Sequence, residues 1–271
     1  VLRNSVYAAG SGLISVILTN TLIMIWENVF NKLTPFKLLE MSGANDEAIQ
    51  NLITKAPGTY HHSLIVSNLA EAAAAKVGAN PLLARVGAYY HDIGKAEKAL
   101  YFSENQANTE NILESLAPEA SAKIIKNHVS DGLYLAEKNN IPKEISKFID
   151  THHGTSEITY FKVKAQQQGY KGDEDFHYHG ELPSSKETSI VMLADSVEAA
   201  VRSLSMQSPE NIKSIIDKLV HKKISEGQLL HSSLTFADIE TIKKEFFEIM
   251  CSVYHARVKY PGQEEKDKKV D

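Results

Sequence analysis

Between Val6 and Trp26 the chain runs 21 residues without a charge. Sixteen are apolar or glycine, and the others are Ser11, Ser15, Thr19, Asn20 and Thr21. At ~1.5 Å per residue a helix of this length reaches ~30 Å, the thickness of a bilayer core. Trp26 stands where an interfacial anchor would stand, and Lys32 and Lys37 follow on the side expected to be cytoplasmic. Residues 1–30 are therefore expected to be a transmembrane helix, the last of a larger membrane region absent from this chain. The five polar residues keep a second reading open, a buried helix of a soluble protein. No cleavage site suits a signal peptide, and a chain opening on Val1 reads as a fragment or a processed product.

Beyond a linker at 31–50, the pattern is helical almost throughout. Helices are expected over Asp46–Lys55, His61–Val77, Leu82–His91, Pro118–Asn139, Pro142–His153, Lys186–Leu204, Pro209–Glu226 and Phe236–Val258. Several open on a proline, which costs nothing in the first turn. Pro57-Gly58 is read as a stop, and Asn80-Pro81 as an N-cap with proline after it. No segment alternates with period 2, so the fold class is all-α. Gly154–Ser185 stands apart as a long polar stretch with Gly169, Gly172, Gly180 and Pro183, expected to be a loop serving as a lid. The folded domain is assigned to 51–260 and a disordered tail to 261–271.

Composition narrows the chemistry. The net charge is −5, which argues against duplex nucleic acid as a partner but not against one small anion in a local pocket. A lone cysteine, Cys251, excludes an intrachain disulfide and a cysteine zinc cage, and fits a reducing compartment. There are 11 histidines, several paired or beside aspartate. In His91-Asp92-Ile93-Gly94-Lys95, a helix would lay Lys95 over His91 and Asp92. Imidazole, carboxylate and ammonium together suit a metal beside an anionic oxygen; a plain helix C-terminus would also account for them. The Gly87–Lys95 segment is no phosphate-binding loop, because its glycine spacing is wrong and no Ser or Thr follows Lys95. Further candidates are His62, His128, the pair His152-His153, and Asp195 in an apolar helix where an unpaired carboxylate would be costly. A lone helical histidine is ordinarily a core or surface residue; it is the joint occurrence that counts.

Here the sequence resembles a known family. His62, His91-Asp92 and Asp195 match the H…HD…D pattern of HD-domain metal phosphohydrolases. Ala56-Pro-Gly-Thr-Tyr-His-His-Ser, Ala84-Arg-Val-Gly-Ala-Tyr-Tyr-His-Asp-Ile-Gly-Lys, Tyr101-Phe-Ser-Glu-Asn-Gln, Ser185-Lys-Glu-Thr and Leu193-Ala-Asp-Ser-Val-Glu-Ala-Ala are similar to the seven-transmembrane HD family, bacterial cyclic di-AMP phosphodiesterases. The likeness runs from about Gly10 to Tyr260. It implies an HD-domain helical bundle behind the last membrane helix, in a cell membrane with this domain facing the cytoplasm. It also implies two metal ions. His62, His91, Asp92 and Asp195 would hold one, and Asp92, His128, His152 and His153 the other. Imidazole and carboxylate ligands suit transition metals, and the resemblance favours iron or manganese. Adjacent His152 and His153 point ~100° apart on a helix, so both ligate only if the helix ends there, as Gly154 allows.

The expected reaction is hydrolysis of cyclic di-AMP to linear 5′-pApA by a metal-bridging hydroxide, with Asp92 and Lys95 as catalytic residues and Lys95 offsetting transition-state charge. Tyr60, Tyr89, Tyr90, Tyr101 and Phe102 are candidates for stacking on adenine, although such residues are commonly core. Asn105 and Gln106 could read a base edge, and Arg202 could touch phosphate or form a salt bridge. One alternative is a nucleotide phosphohydrolase acting on deoxynucleotides or alarmones, for which His128, His152 and His153 are superfluous. Others are a non-catalytic cyclic-dinucleotide sensor and a helical scaffold with surface histidines. Gly154-Thr155 after the histidine pair departs from the HD-GYP pattern, which speaks against cyclic di-GMP.

Overall fold

The computed structural model describes residues 2–30, 33–44, 46–106, 112–172 and 175–255. The tail at 261–271, the end of the last expected helix beyond His255, Lys32 and the side chain of Trp26 lie outside the described residues. The chain divides into two compact units, 1–43 and 44–271. In the first, α1 (Leu2–Phe30) is followed by α2 (Pro35–Met41), whose first turn is capped by Thr34 accepting from the Lys37 amide. Leu2–Ile23 is long and apolar enough to cross a membrane, and its side chains are exposed, Leu13 at 67% and Ile17 at 64%.

The second unit is helical. It holds α3 (Glu47–Lys55), α4 (Pro57–Lys76), α5 (Pro81–Tyr90), α6 (Pro118–Lys138), α7 (Lys143–Thr151), α8 (Thr159–Gln167), α9 (Lys186–Arg202), α10 (Pro209–Ser225) and α11 (Phe236–His255). Short 3-10 segments, Ile93–Tyr101, Ser103–Asn105 and Ile112–Ser115, join α5 to α6. Among the described residues there is no β-strand, only an isolated antiparallel bridge between Glu157 and His177. The helix starts follow local chemistry. Asp46 caps α3 through the Ala48 amide, Asn80 caps α5 through the Leu83 amide, and Ser185 with Thr188 closes a capping box on α9. Pro57 ends one helix and begins the next, because its missing N–H is harmless in a first turn.

The main core is built around α4, which meets α5, α9 and α11, with α10 packed on α9 and α11. Val66, Leu69, Ala70 and Ala73 of α4 share a stripe with helical spacing, and its alanines admit close approach. The same cluster holds Ile190, Leu193, Ala194 and Val197 of α9, Ile212, Ile216 and Val220 of α10, and Ile242, Phe246 and Met250 of α11. A smaller cluster of Leu113, Ala122, Phe161, Ala165 and Phe176 overturns the expectation of an unbroken polar loop at 154–185. Phe161 and Ala165 sit one turn apart, and burying them turns Thr159–Gln167 into α8. With so few apolar residues, the period is hard to see in the sequence.

A second expectation changes in detail. Helix α5 stops at Tyr90, His91 and Asp92 form a turn, and Lys95 lies in the following 3-10 segment. That segment meets α6 backbone to backbone. A Cβ on Gly94 would come 2.0 Å from the His128 carbonyl oxygen and 2.4 Å from the Gly132 nitrogen. Glycine is therefore required for the Asp92–Lys95 turn to lie against the helix carrying His128. Replacing Gly94 with Ala should destabilise the protein by about 1–3 kcal/mol, the range for overpacking, measured as a lowered urea midpoint. An unchanged midpoint would show that the two segments are not in contact.

Candidate metal centre

Five elements deliver seven side chains to one buried point. His62 comes from the second turn of α4, His91 and Asp92 from the turn after α5, and His128 from α6. His152 and His153 follow α7, and Asp195 comes from α9. The end of α7 at Thr151 lets adjacent histidines face the same way. His152 caps the helix, and Gly154 then turns the chain with φ +53°.

Ligand-type atoms fall into two groups, His62, His91, Asp92 and Asp195 in one and His128, His152 and His153 in the other. Asp92 lies between them. Its Oδ2 is 3.2 Å from His91 Nε2 and 3.7 Å from His62 Nε2, whereas its Oδ1 is 3.4 Å from His128 Nε2 and 3.5 Å from His152 Nε2. Asp195 Oδ1 is 3.1 Å from His62 Nε2 and 3.7 Å from His91 Nε2, and its Oδ2 is 3.7 Å from His153 Nδ1. The seven are almost inaccessible except for His153, whose side chain is 19% exposed and marks the open face.

Carbonyl oxygens only accept, so the Nδ1 of His91 donates to Ala88, that of His128 to Ile125 and that of His152 to Ile149. In their neutral forms all three then present a bare Nε2 to Asp92. His128 Nε2 and His152 Nε2 are 3.1 Å apart, two lone pairs facing each other with no proton between the neutral rings. Neither Asp92 oxygen accepts a well-aligned hydrogen bond, and His91 Nε2 is likewise unsatisfied. Buried acceptors turned on one another are costly unless a cation lies among them. The donor set thus fits transition-metal ions.

The electrostatics divide in the same way. Burial would lower the pKa of His91, but Asp92 and Asp195 outweigh it and raise it to about 10. Burial also opposes protonation of His62, yet its bonds to Asp195 and Glu198 raise its pKa. On the other side, burial pushes His128 down to about 3, and burial with the neighbouring His152 depresses His153. The carboxylate-rich half calls for positive charge, whereas in the other half His128 and His153 are held neutral and able to coordinate. Burial alone would raise the carboxyl pKa values, but Lys95 and His91 hold Asp92, and His62 and His91 hold Asp195, well below the usual range.

Lys95 Nζ lies 2.7 Å from Asp92 Oδ2 and 3.0 Å from Glu104 Oε1. The first contact is close enough for an ion pair, although poorly aligned as a hydrogen bond. Burial disfavours the Lys95 charge, but these two carboxylates more than restore it, so its pKa rises. The ammonium also sits 5.1 Å over the Phe102 ring.

Several supporting residues escaped the sequence reading. Glu198 accepts from His62 Nδ1 and is itself held by Arg202 Nε at 3.2 Å. It stands three residues after Asp195 on α9, a helical spacing that could have revealed it. Glu104 balances Lys95. Tyr178 stacks on His153 with ring centroids 4.1 Å apart.

The residues expected to contact substrate are engaged as follows. Tyr60 packs beside Leu52, Ala56, Ala96 and Ala99. The Asn105 amide is engaged inside the fold, donating to Thr59 Oγ1 and the Ala99 carbonyl oxygen while accepting from the Thr59 amide. Gln106 donates to the Leu100 carbonyl oxygen, and Arg202 reaches Glu198. Tyr90 is fully buried, Tyr89 is buried and accepts from Arg85 Nε, Tyr101 packs in the smaller core cluster, and Phe102 meets His128 edge to face. The exposed His177 and His179 pair with Asp175.

Residues 59–200 match the HD domain family. Over 259 residues the chain is 42% identical to the cyclic-di-AMP phosphodiesterase PgpH of Bacillus subtilis strain 168, an alignment covering 95% of this chain and 36% of that protein. It is 39% identical over 260 residues to the cyclic-di-AMP phosphodiesterase PgpH of Listeria monocytogenes, covering 96% of this chain and again 36% of the relative. The chain thus spans about a third of the length of these curated relatives. The crystal structure of the L. monocytogenes PgpH HD domain in complex with cyclic-di-AMP superposes with a TM-score of 0.75 at 40% identity, covering 78% of this chain and 100% of that one. A histidine and aspartate cluster inside the matched helices, on a fold shared with a solved HD domain, leaves no ambiguity of class: this chain belongs to the HD domain family.

Proposed function

We propose that this chain is the catalytic HD domain of a membrane-attached phosphodiesterase that hydrolyses cyclic di-AMP to linear 5′-pApA with two transition-metal ions, iron or manganese. The observation that carries the proposal is the opposed pair of bare nitrogens, His128 Nε2 and His152 Nε2, 3.1 Å apart beside an unsatisfied Asp92. His62, His91, Asp92 and Asp195 would hold one ion, and Asp92, His128, His152 and His153 the other. Asp92 would be shared, since its two oxygens face opposite groups. Similarity to the PgpH proteins supports the choice of substrate. The apolar α1 supports attachment to a membrane, and the family resemblance in the sequence would put this domain on the cytoplasmic side.

When bound, such ions activate water at neutral pH and draw charge from phosphoryl oxygens. The protein supplies orientation. Carbonyls of Ala88, Ile125 and Ile149 fix three imidazoles in the tautomer that exposes Nε2, and Glu198 does the same for His62. Lys95, kept protonated between Asp92 and Glu104, stands beside the shared carboxylate, where it would offset charge growing on phosphate. Tyr178 stacks on the most exposed ligand candidate and would border the entry. Net reaction at one phosphodiester breaks the bond from phosphorus to the ribose 3′-oxygen and forms one to a water oxygen. A water proton passes to the leaving 3′-oxygen, which opens the ring with a 5′-phosphate.

Three outcomes test this reading. EDTA should stop turnover of cyclic di-AMP, with Mn²⁺ or Fe²⁺ restoring it better than Mg²⁺ and with cyclic di-GMP turned over more slowly in parallel. Chromatography of the products checks this, and persistence of cyclic di-AMP while deoxynucleotides or alarmones are hydrolysed would favour the other enzymatic reading. Asp92→Ala should abolish turnover and remove both metals on elemental analysis, and retention of either ion would contradict its shared role. Lys95→Ala should lower kcat by about 10²–10³, the usual loss when one charge-stabilising group is removed, without changing metal content. Loss of metal in that variant would reassign Lys95 to holding the site together.

A further inference from the structure

Behind His152 and His153 the chain makes the turn Gly154-Thr155-Ser156, and α10 grips it. Helix α10 ends in a glycine-terminated cap. Gly227 has φ +71°, its amide donates to the Ile224 carbonyl oxygen and the next amide, Gln228, donates to that of Lys223. This cap directs the Gln228 side chain inward, where the residue is 3% exposed. Both ends of its amide are spent on a single residue. Gln228 Oε1 accepts from the Thr155 amide at 3.0 Å, and Nε2 donates to Thr155 Oγ1 at 3.0 Å. One turn earlier, buried Lys223 donates to Ser156 Oγ at 2.7 Å. A Cβ on Gly154 would come 2.5 Å from Gln228 Oε1, so the amide lies directly against the turn.

The opposite side of the turn is held by another segment. The Tyr178 amide donates to the Ser156 carbonyl oxygen, and the Gly180 amide to that of Gly154. Tyr178 in turn stacks on His153. The backbone that presents His152 and His153 is thus clamped between this segment and the end of α10. The α10 side of the clamp lies beyond residues 59–200, the stretch matching the HD family.

We infer that Gln228 is a positioning residue for the His128, His152 and His153 side of the centre, acting through Thr155 to hold the turn at which both adjacent histidines face inward. This inference rests on the two-ion reading above. Removing the grip frees the turn without touching His62, His91 or Asp195, so it should act on one ion and spare the other.

The test uses the full chain, stripped of metal and titrated with Mn²⁺ alone by calorimetry. The wild type should bind two ions. Gln228→Leu should weaken one of them by about 10–100-fold, the usual effect of losing a residue that orients ligands, and leave the other unchanged. Thr155→Val removes one of the two bonds at an exposed position. It should weaken the same ion less, and combined with Gln228→Leu it should add nothing. The metal-free melting temperature of Thr155→Val should match the wild type. Two undisturbed ions in both variants would overturn the inference, and so would equal weakening of both ions, which would mark a general loss of structure. A wild type that binds a single ion would instead refute the two-ion reading, a result distinguishable before any variant is made.

Discussion

The Asp92 carboxylate is buried, faces four imidazoles and touches one ammonium. Burying a lone carboxylate costs several kcal/mol even after relaxation, so such a group survives only inside an arrangement that returns the lost solvation. The arrangement here draws on helices far apart in sequence. α4, α6 and α9 must each pass the right place, and α7 must end there, for Asp92 to be surrounded. The tight contact of Gly94 with α6, the break after Tyr90 and the end of α7 at Thr151 are three local solutions to this one requirement.

The seven ligand candidates were legible in the sequence for a physical reason. Histidine and aspartate in apolar helices are expensive, and seven at once are hard to explain by packing. The His-Asp step and the histidine pair kept their meaning although the first lies in a turn, because ligand type and proximity matter more than helical phase. The residues behind them were less visible. Glu198 shares a helix face with Asp195 and could have been read from the three-residue spacing. Glu104 could not, since it meets Lys95 only after two 3-10 segments fold back, and 3-10 turns carry no strong sequence period. Asn105 has a structural role that the sequence did not reveal. Its amide suited a base edge by chemistry, but the fold uses it to tie the start of α4 to the segment after Lys95.

Helix α8 was hidden for a related reason. A helix buried on one narrow stripe needs only two or three apolar residues, and Phe161 and Ala165 are nearly all that α8 contributes to its core. Mean polarity then looks like a loop. The large helices were recovered nearly to their ends because proline, asparagine and serine caps stand at their starts, where the local chemistry is independent of what the helix later packs against.

The charges around the centre form a consistent whole. Asp92, Asp195, Glu104 and Glu198 are four carboxylates, and the cations directly paired with them are Lys95 and Arg202. Once coordination holds the histidines neutral, these groups carry an excess of negative charge in a place where water is largely excluded, and without the ions' own charge a phosphodiester would be repelled. Two divalent ions would reverse the sign of the local field and make the same cleft attractive to a phosphate anion. The chain as a whole carries −5, so this attraction would have to be local and conditional on metal. An acidic protein that takes an anionic substrate needs such a reversal, and carboxylates set behind histidines are a compact way to achieve it. In the absence of ions His62 and His91, whose pKa values are raised, would carry protons in their place.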